Sequence, residues 1–452
     1  MDYRSSLHYL FSLVDLERHA GLKPPKVKLD LNRVLYLLGR LGNPHMEVPA
    51  IHVAGTKGKG STCAMVTSIL ANAGYKVGLF TSPHLHTFLE RISVGGQPIK
   101  QDEFASLVET VKPYIEETAK FGRYGFVTLF EALTAMAFLH FKNIGADFQV
   151  LEVGLGGRLD STNVISPLVT GITSISMDHG AILGDSLEKI ASEKAGIIKR
   201  RVPVICAPQQ DGVLRLIKRR AKDMNAEVTI IGQDLQWSGL DSDYQGQRFV
   251  LIGSLDTYNL WLPLLGKYQL DNASVAVGII ETLIHQGQNI SVENIEKGIS
   301  SVSWPCRMEI LSVDPMIIVD GAHNPDSVRR LSQTLLEMVE QRKVIIIFGV
   351  SSDKDISSMI DELMILDPTV IITNSRQPRA LVADSLEAMF KEKGFSVRVS
   401  DNANDAVKMA QQLIGNGAIL VATGSLFVAA EVREVIKGLE PELYSDFPKR
   451  GK

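Results

Sequence analysis

"IHVAGTKGKGSTCAMVTSIL", residues 51–70, sets an apolar run against a glycine-rich turn and then a segment of helical spacing. The run 50–54 stops at Gly55, and 61–73 places its apolar residues at helical intervals up to Gly74. Strand, glycine loop and helix in that order aim backbone N–H groups and a helix N-terminus at an anion. The common phosphate loop is Gly, four residues, Gly-Lys, then Ser or Thr. Here two residues separate Gly55 from Gly58-Lys59, and Gly60 stands between Lys59 and Ser61. The stretch is either a variant nucleotide loop, with Lys59 on outer phosphates and Ser61 offering a hydroxyl or first-turn amide, or a plain tight turn. The flanking strand and helix favour the nucleotide.

Outward from this unit, apolar runs at 76–82, 147–154, 168–176 and 202–208 alternate with helical segments, which predicts a parallel α/β sheet. Segments 227–232 and 248–264 read as extra strands of an antiparallel appendage, and 267–286 as one long helix. Beyond residue 303, apolar runs at 316–321, 343–350, 368–375, 396–400 and 418–425 alternate with helix-length segments. The expected fold is therefore α/β. An N-terminal P-loop-type ATPase domain with a parallel sheet covers 1–302, and a smaller C-terminal Rossmann-like doubly wound domain covers 303–452. The boundary falls just before Trp304-Pro305. No low-complexity linker separates the two, so their crevice is the expected site.

A chain of 452 residues is long for one core and fits two domains. With 45% hydrophobic and 22% charged residues it reads as globular, and a net charge of -4 gives no bulk attraction for nucleic acid. No apolar run approaches the ~20 residues of a membrane span. The opening MDYRSSLHYLFSLVDLERHAG has scattered charges and is unlike a secretory signal. Cys63, Cys206 and Cys306 are far apart with no CxxC pair, as expected of reduced thiols in a cytoplasmic protein without structural zinc.

Several polar residues stand where parallel sheets place ligands. In LEVGLGGRLDSTN (151–163), Glu152 ends an apolar strand, and burying a carboxylate is costly unless a cation compensates. Mg²⁺ shared with phosphate oxygens meets that need; a solvent-facing edge glutamate is the alternative. TSPHL (81–85) ends another strand and read alone is a turn. In MDHGAILG (177–184), His179 is evenly a metal ligand or a strand terminus. Lys194, in the helical 186–199, reads locally as one of a solvated charge pattern. In MIIVDGAHNPDS (316–327), Asp320 suits a ribose hydroxyl and His323 a base.

Jointly, HVAGTKGKGS, FTSPHL with FLERI, LFEALTAMAF, LEVGLGGRLDSTN, DHGAILG, SEKAGIIK, WPCRMEI, VDGAHNP, FGVSSDKD and ATGSLF resemble the folylpolyglutamate synthase and dihydrofolate synthase family of the Mur ligase group. The likeness spans nearly the whole chain, and that group's shortened G-T-x-G-K loop matches the spacing at Gly55. The resemblance implies an ATP-dependent, amide-forming ligase that adds L-glutamate to a folate or dihydropteroate carboxylate through an acyl phosphate. It implies a cytoplasmic monomer with neither nucleic acid nor membrane as partner. Thr56, Lys57, Gly58, Lys59, Gly60 and Ser61 would hold the ATP phosphates, and Asn272, Arg307, Asp320 and His323 would contact the nucleotide across the domains. Ser82, Glu152 and His179 would hold two Mg²⁺ ions, and Lys194 would be carbamylated beside them. Lys59, Arg307 and Lys194 would carry the chemistry, while Phe130, Glu131 and Asp160, with the 28–34 stretch nearby, would form the pterin pocket. Three positions depart from the family: Lys57 where Asn is frequent, Ser161 where Ala is common, and Cys306 where Gly is usual. A peptidoglycan-precursor ligase acting on UDP-linked sugar acids and a regulatory ATPase are the competing readings.

Overall fold

A computed structural model describes residues 1–15, 29–120, 125–178, 180–339, 342–414 and 417–444. The apolar run at 50–54 becomes β1 (Ala50–Ala54), buried along its whole length because helices cover both faces of its sheet. That sheet also holds β2 (Val77–Phe80), β3 (Ile92–Val94), β4 (Gln97–Pro98), β5 (Phe148–Glu152), β6 (Val169–Ile172), β7 (Val204–Cys206) and β8 (Val228–Ile230), in the order β4-β3-β2-β5-β1-β6-β7-β8. From β2 to β8 neighbouring strands run parallel. The β3 and β4 edge is antiparallel.

Ile51 and Val53 face a core shared with helices Lys59–Asn72 and Lys267–His285. Ala50, Phe80 and Leu151 face a second core with helices Leu31–Arg40, Gln101–Lys120 and Leu129–Asn143. Helix Lys267–His285 is apolar nearly all round because an antiparallel sheet of β9 (Gln236–Ser242), β10 (Gln247–Ile252) and β11 (Thr257–Leu262) shares its core. That antiparallel appendage was expected at 248–264. Segment 227–232 does not belong to it: β8 pairs in parallel with β7 and closes the main sheet.

A second sheet follows, of β12 (Glu309–Val313), β13 (Met316–Val319), β14 (Val344–Phe348), β15 (Thr369–Ile372), β16 (Val397–Val399) and β17 (Ile419–Thr423), in the order β12-β13-β17-β14-β15-β16. Only β12 is antiparallel. Cores on both of its faces make it doubly wound. All three cysteines are buried free thiols. Among the described residues no helix is long and apolar enough to cross a membrane.

In the main sheet β1 sits between β5 and β6, so successive connections leave it in opposite directions. Ligands of open α/β sheets gather at such a switch point, beyond the carboxyl ends of the strands. The loops after β1, β2, β5 and β6 all open there, facing the loops after β13 and β14 of the second sheet.

Candidate active site

After β1 the chain turns through Gly55, where any added Cβ would stand 1.8 Å from Thr173 Oγ1. The Thr56 and Lys57 amides then donate to the Ser174 carbonyl, at 2.9 and 3.2 Å. Thr56 Oγ1 donates to the Ser176 carbonyl at 3.0 Å and accepts from the Ser176 amide at 3.1 Å. These bonds stitch the loop to the exit of β6 and explain how it works with so few residues. Gly58, at φ +86°, caps helix Lys59–Asn72. The first amides of that helix, those of Lys59, Gly60 and Ser61, have no intrahelical acceptor and lie at the positive end of its dipole. A Cβ at Gly58 would meet Asn272 Oδ1 at 2.1 Å, and one at Gly60 would meet the Trp304 ring at 2.8 Å, so both glycines are required by close packing.

Glu152 ends β5 and is 6% exposed. Its carboxylate accepts the Ser82 amide at 3.1 Å and has Lys59 Nζ at 3.8 Å. Burial pushes its pKa up, against the pull of Lys59 and, from the second domain, of Arg307. A carboxylate has room for about four donors, so this one is incompletely partnered and fits a cation. Lys194 reaches in from helix Leu187–Ala195 and donates to the Gly55 carbonyl at 2.8 Å. Burial, reinforced by Lys59, lowers its pKa to about 7. Lys194 is thus no member of a solvated charge pattern. His179 lies outside the described residues. Among those described, no group of three or more His, Cys, Asp or Glu is placed to hold a metal; Mg²⁺ in any case takes only one or two carboxylates beside phosphate and water.

Asp160 folds the glycine-rich loop after β5 around itself, accepting the Leu155 amide at 2.9 Å, the Thr162 amide at 3.0 Å and Thr162 Oγ1 at 2.6 Å. The Phe130 ring lies against Gly154, where a Cβ would come within 2.5 Å of it. Phe130 and Asp160 therefore both pack or bond to the loop after β5. Glu131 does not join them. Its carboxylate is taken by Arg33, with Nη2 at 2.7 Å and Nε at 2.8 and 2.9 Å, and by the Thr128 amide at 2.7 Å. Glu131, expected at the pterin, has its carboxylate oxygens occupied by these donors and caps helix Leu129–Asn143.

On the second domain, Asp320 accepts the amides of Met308 and Ala322, both at 2.8 Å, and Arg307 offsets its buried charge. Arg307 lies between two residues in the left-handed region, Cys306 at φ +58° and Met308 at φ +48°. A glycine takes that conformation freely, which accounts for the family's usual residue at 306. Sequence reasoning missed Asp178 as a centre of contacts: its carboxylate meets Lys57 Nζ and Lys354 Nζ, each at 3.0 Å, and Asn324 Nδ2 at 3.2 Å. It also missed Tyr268, Asp271 and Arg330, which with Lys57, Gly58, Ser174 and Asn272 line a cleft of about 110 Å³ beside the glycine loop. The polar start of the KYQLDN helix was the available signal for the first two.

Two family models match this chain, the Mur ligase middle domain over residues 53–280 and the Mur ligase glutamate ligase domain over 306–426. The dihydrofolate synthase/folylpolyglutamate synthase of Bacillus subtilis (strain 168) is 36% identical over 428 residues, covering 91% of this chain and 96% of that protein. The folylpolyglutamate synthase of Mycobacterium tuberculosis, solved with ADP and AMPPCP, superposes with a TM-score of 0.88 at 30% identity, over 98% of this chain and 100% of that one. A complex of FPGS, AMPPCP and folate gives a TM-score of 0.84 at 30% identity, over 96% and 100% of the two chains. With the stitched glycine loop, the half-satisfied Glu152 and the facing loops of a second doubly wound sheet, these likenesses establish that the chain belongs to the folylpolyglutamate synthase/dihydrofolate synthase family of Mur-type, ATP-dependent ligases.

Proposed function

We propose that this chain adds L-glutamate to the carboxylate of a reduced folate, and also to dihydropteroate, at the expense of ATP. The observation that carries the reading is the pairing of first-turn amides and Lys59 with an incompletely partnered Glu152 at the switch point of the main sheet. Within the Thr56–Ser61 loop, nucleotide phosphates rest on the amides of Lys59, Gly60 and Ser61 that the loop's own bonds leave free, while the Lys57 amide and ammonium are engaged elsewhere. Asn272, Arg307, Asp320 and His323 complete the nucleotide site from beyond the glycine loop. Phe130 receives the pterin beside the loop that Asp160 folds, with Glu131 supporting the pocket from behind. The division at residues 302/303 and a monomeric, cytoplasmic enzyme belong to the same reading, supported by two separate sheets and three free thiols.

Ser82, Glu152 and His179 are the residues that would hold Mg²⁺, two ions in all, and bound there it neutralises charge on the transferring phosphoryl group. Lys59 and Arg307 do the same from the protein side. An oxygen of the substrate carboxylate displaces ADP from the γ-phosphorus, giving an acyl phosphate. The glutamate amine then attacks the acyl carbon, phosphate leaves, and the amine sheds a proton. Closure of the second domain keeps water from the acyl phosphate. With its pKa near 7, Lys194 is substantially uncharged at neutral pH, the form in which an amine adds to CO₂ and releases a proton to become a carbamate. Carbamylation turns a buried cation into an anion beside the metal ligands.

The test offers the purified protein ATP and Mg²⁺ with tetrahydrofolate, dihydropteroate or a UDP-muramoyl acid, each with and without L-glutamate. ADP formation that requires both a folate-type acid and glutamate is expected. Turnover with the UDP-linked acid would point to a peptidoglycan-type ligase, and equal ADP without either acceptor to a regulatory ATPase.

A further inference from the structure

The two lysines of the glycine loop go to different places. Lys59 Nζ turns toward Glu152, whereas Lys57 Nζ leaves the phosphate cradle for Asp178 Oδ2 at 3.0 Å and His323 Nε2 at 2.9 Å. His323 Nδ1 lies 2.7 Å from the Gly321 carbonyl, which can only accept. Nδ1 therefore carries the proton, and Nε2 offers a lone pair to the Lys57 ammonium. Partial burial and the charge of Lys57 both lower the pKa of His323 and favour its neutral form.

Asp178 collects the rest. Its Oδ1 takes Lys354 Nζ from the loop after β14, and its Oδ2 takes Asn324 Nδ2 from the loop after β13. Asp178 is 7% exposed, Lys354 11% and Lys57 17%. His323 keeps 33% of its side chain exposed at the rim. One carboxylate of the first domain thus gathers two ammonium groups and an amide, drawing three elements of two domains together. Lys354 also has Asp353 Oδ2 at 3.7 Å, so it is shared between two carboxylates. An asparagine at position 57 ends two bonds past Cβ, too short to bridge to both Asp178 and His323.

We infer that Lys57 is a positioning residue that fastens the second domain's Gly321–Asn324 and Lys354 loops over the glycine loop through Asp178 and neutral His323. It sets how readily the closed, water-excluding arrangement forms, while Lys59 remains the phosphate-binding lysine. The inference rests on the nucleotide site proposed above and concerns how that site is closed.

The experiment measures AMPPCP affinity by calorimetry in the presence of Mg²⁺, kcat, and the radius of gyration of the ligand-free protein by small-angle scattering. It does so for Lys59→Ala, Lys57→Asn, Lys57→Arg, His323→Gln and the double variant Lys57→Asn/His323→Gln. Lys59→Ala weakens AMPPCP binding; unchanged affinity there sinks the nucleotide site itself, separately from the clasp. For Lys57→Asn, kcat falls ~10- to 100-fold, as expected when reacting groups are held out of place, and the ligand-free radius grows. Its AMPPCP affinity changes by less than ~3-fold, under half of a tenfold step in free energy. His323→Gln adds little to the ligand-free radius on the Lys57→Asn background, because each change breaks the same tie. Lys57→Arg, which keeps a cation of sufficient reach, recovers most of kcat. A loss of AMPPCP affinity in Lys57→Asn equal to that in Lys59→Ala, additive changes of the ligand-free radius in the double variant, or an unchanged kcat in Lys57→Asn would overturn the inference.

Discussion

Glu131 and Glu152 are nearly equally buried, 4% and 6% exposed, and both stand out in the sequence as carboxylates inside apolar runs. Around Glu131 the chain supplies a forked guanidinium and a helix-capping amide. Around Glu152 it supplies one amide and one ammonium at the limit of contact. A buried charge whose donors are complete belongs to the fold, since removing its partner strands the other charge in a low dielectric. One left incomplete is held at a cost that a ligand removes, and such costs gather at functional sites. Lys194 stands with Glu152 in this respect: an ammonium 5% exposed whose recorded bond is to a single carbonyl.

The largest expected effect is on the incomplete side. Lys59→Ala lowers kcat by ~10²–10³-fold or more, the usual consequence of losing one group that stabilises transition-state charge, while circular dichroism and the thermal midpoint stay close to wild type. Normal turnover in this variant would remove Lys59 from the mechanism. On the complete side, Glu131→Ala unfolds in urea with stability reduced by about 3–5 kcal/mol, because the buried Arg33 loses the carboxylate that its Nε and Nη2 hold. A small loss there would erase the distinction between the two carboxylates.

Lys194→Met sharpens the comparison in pH. Between about pH 7 and the ordinary lysine value of 10.5, the unfolded chain holds a proton that folded Lys194 has released, so stability rises with pH through that window. Below it both states are charged, and the folded one carries the whole desolvation cost. In CO₂-free buffer the variant is therefore more stable than wild type, most of all below pH 7, and the advantage shrinks toward pH 10.5. Turnover is lost at every pH. An advantage that grew with pH would contradict the burial of a free amine. The smallest effect is expected for Cys306→Gly. It removes a left-handed strain of roughly 1–2 kcal/mol but also a buried thiol, so urea unfolding should shift by less than about 1 kcal/mol.

How much was legible in the sequence follows from the range of the forces involved. β1, the glycine loop and its helix could be read because a strand covered on both faces is a continuous apolar run that stops at glycine, and the parallel strands of the second domain announce themselves the same way. The β3–β4 hairpin and β12 did not: β3 and β4 are only three and two residues long, and β12 is a partly exposed edge strand, so none carries such a run. The pairing of β8 with β7 was misread for a related reason: its exposed edge position thins the apolar signal on which a parallel assignment depends. The residues gathered at the switch point, Lys59, Glu152, Ser82 and Lys194, were all singled out in the sequence, with the family resemblance needed to lift Lys194 out of its charge pattern. The Arg33 partner of Glu131 and the contacts of Asp178 went unread because those partners are 98, 146 and 176 residues away. No local pattern encodes such a pairing, so whether a buried carboxylate is complete can be judged only in the folded chain.

Glu152→Gln puts that distinction to the most direct test, with turnover and thermal midpoint measured on one preparation. It keeps the size of the side chain, removes a charge that burial already disfavours, and takes away the carboxylate proposed for the metal. The expected result is turnover reduced by ~10²-fold or more with a midpoint equal to or above that of the wild type. Normal turnover, or a midpoint that collapses as Glu131→Ala should, would mean that Glu152 serves the fold and that the site has been placed on the wrong carboxylate.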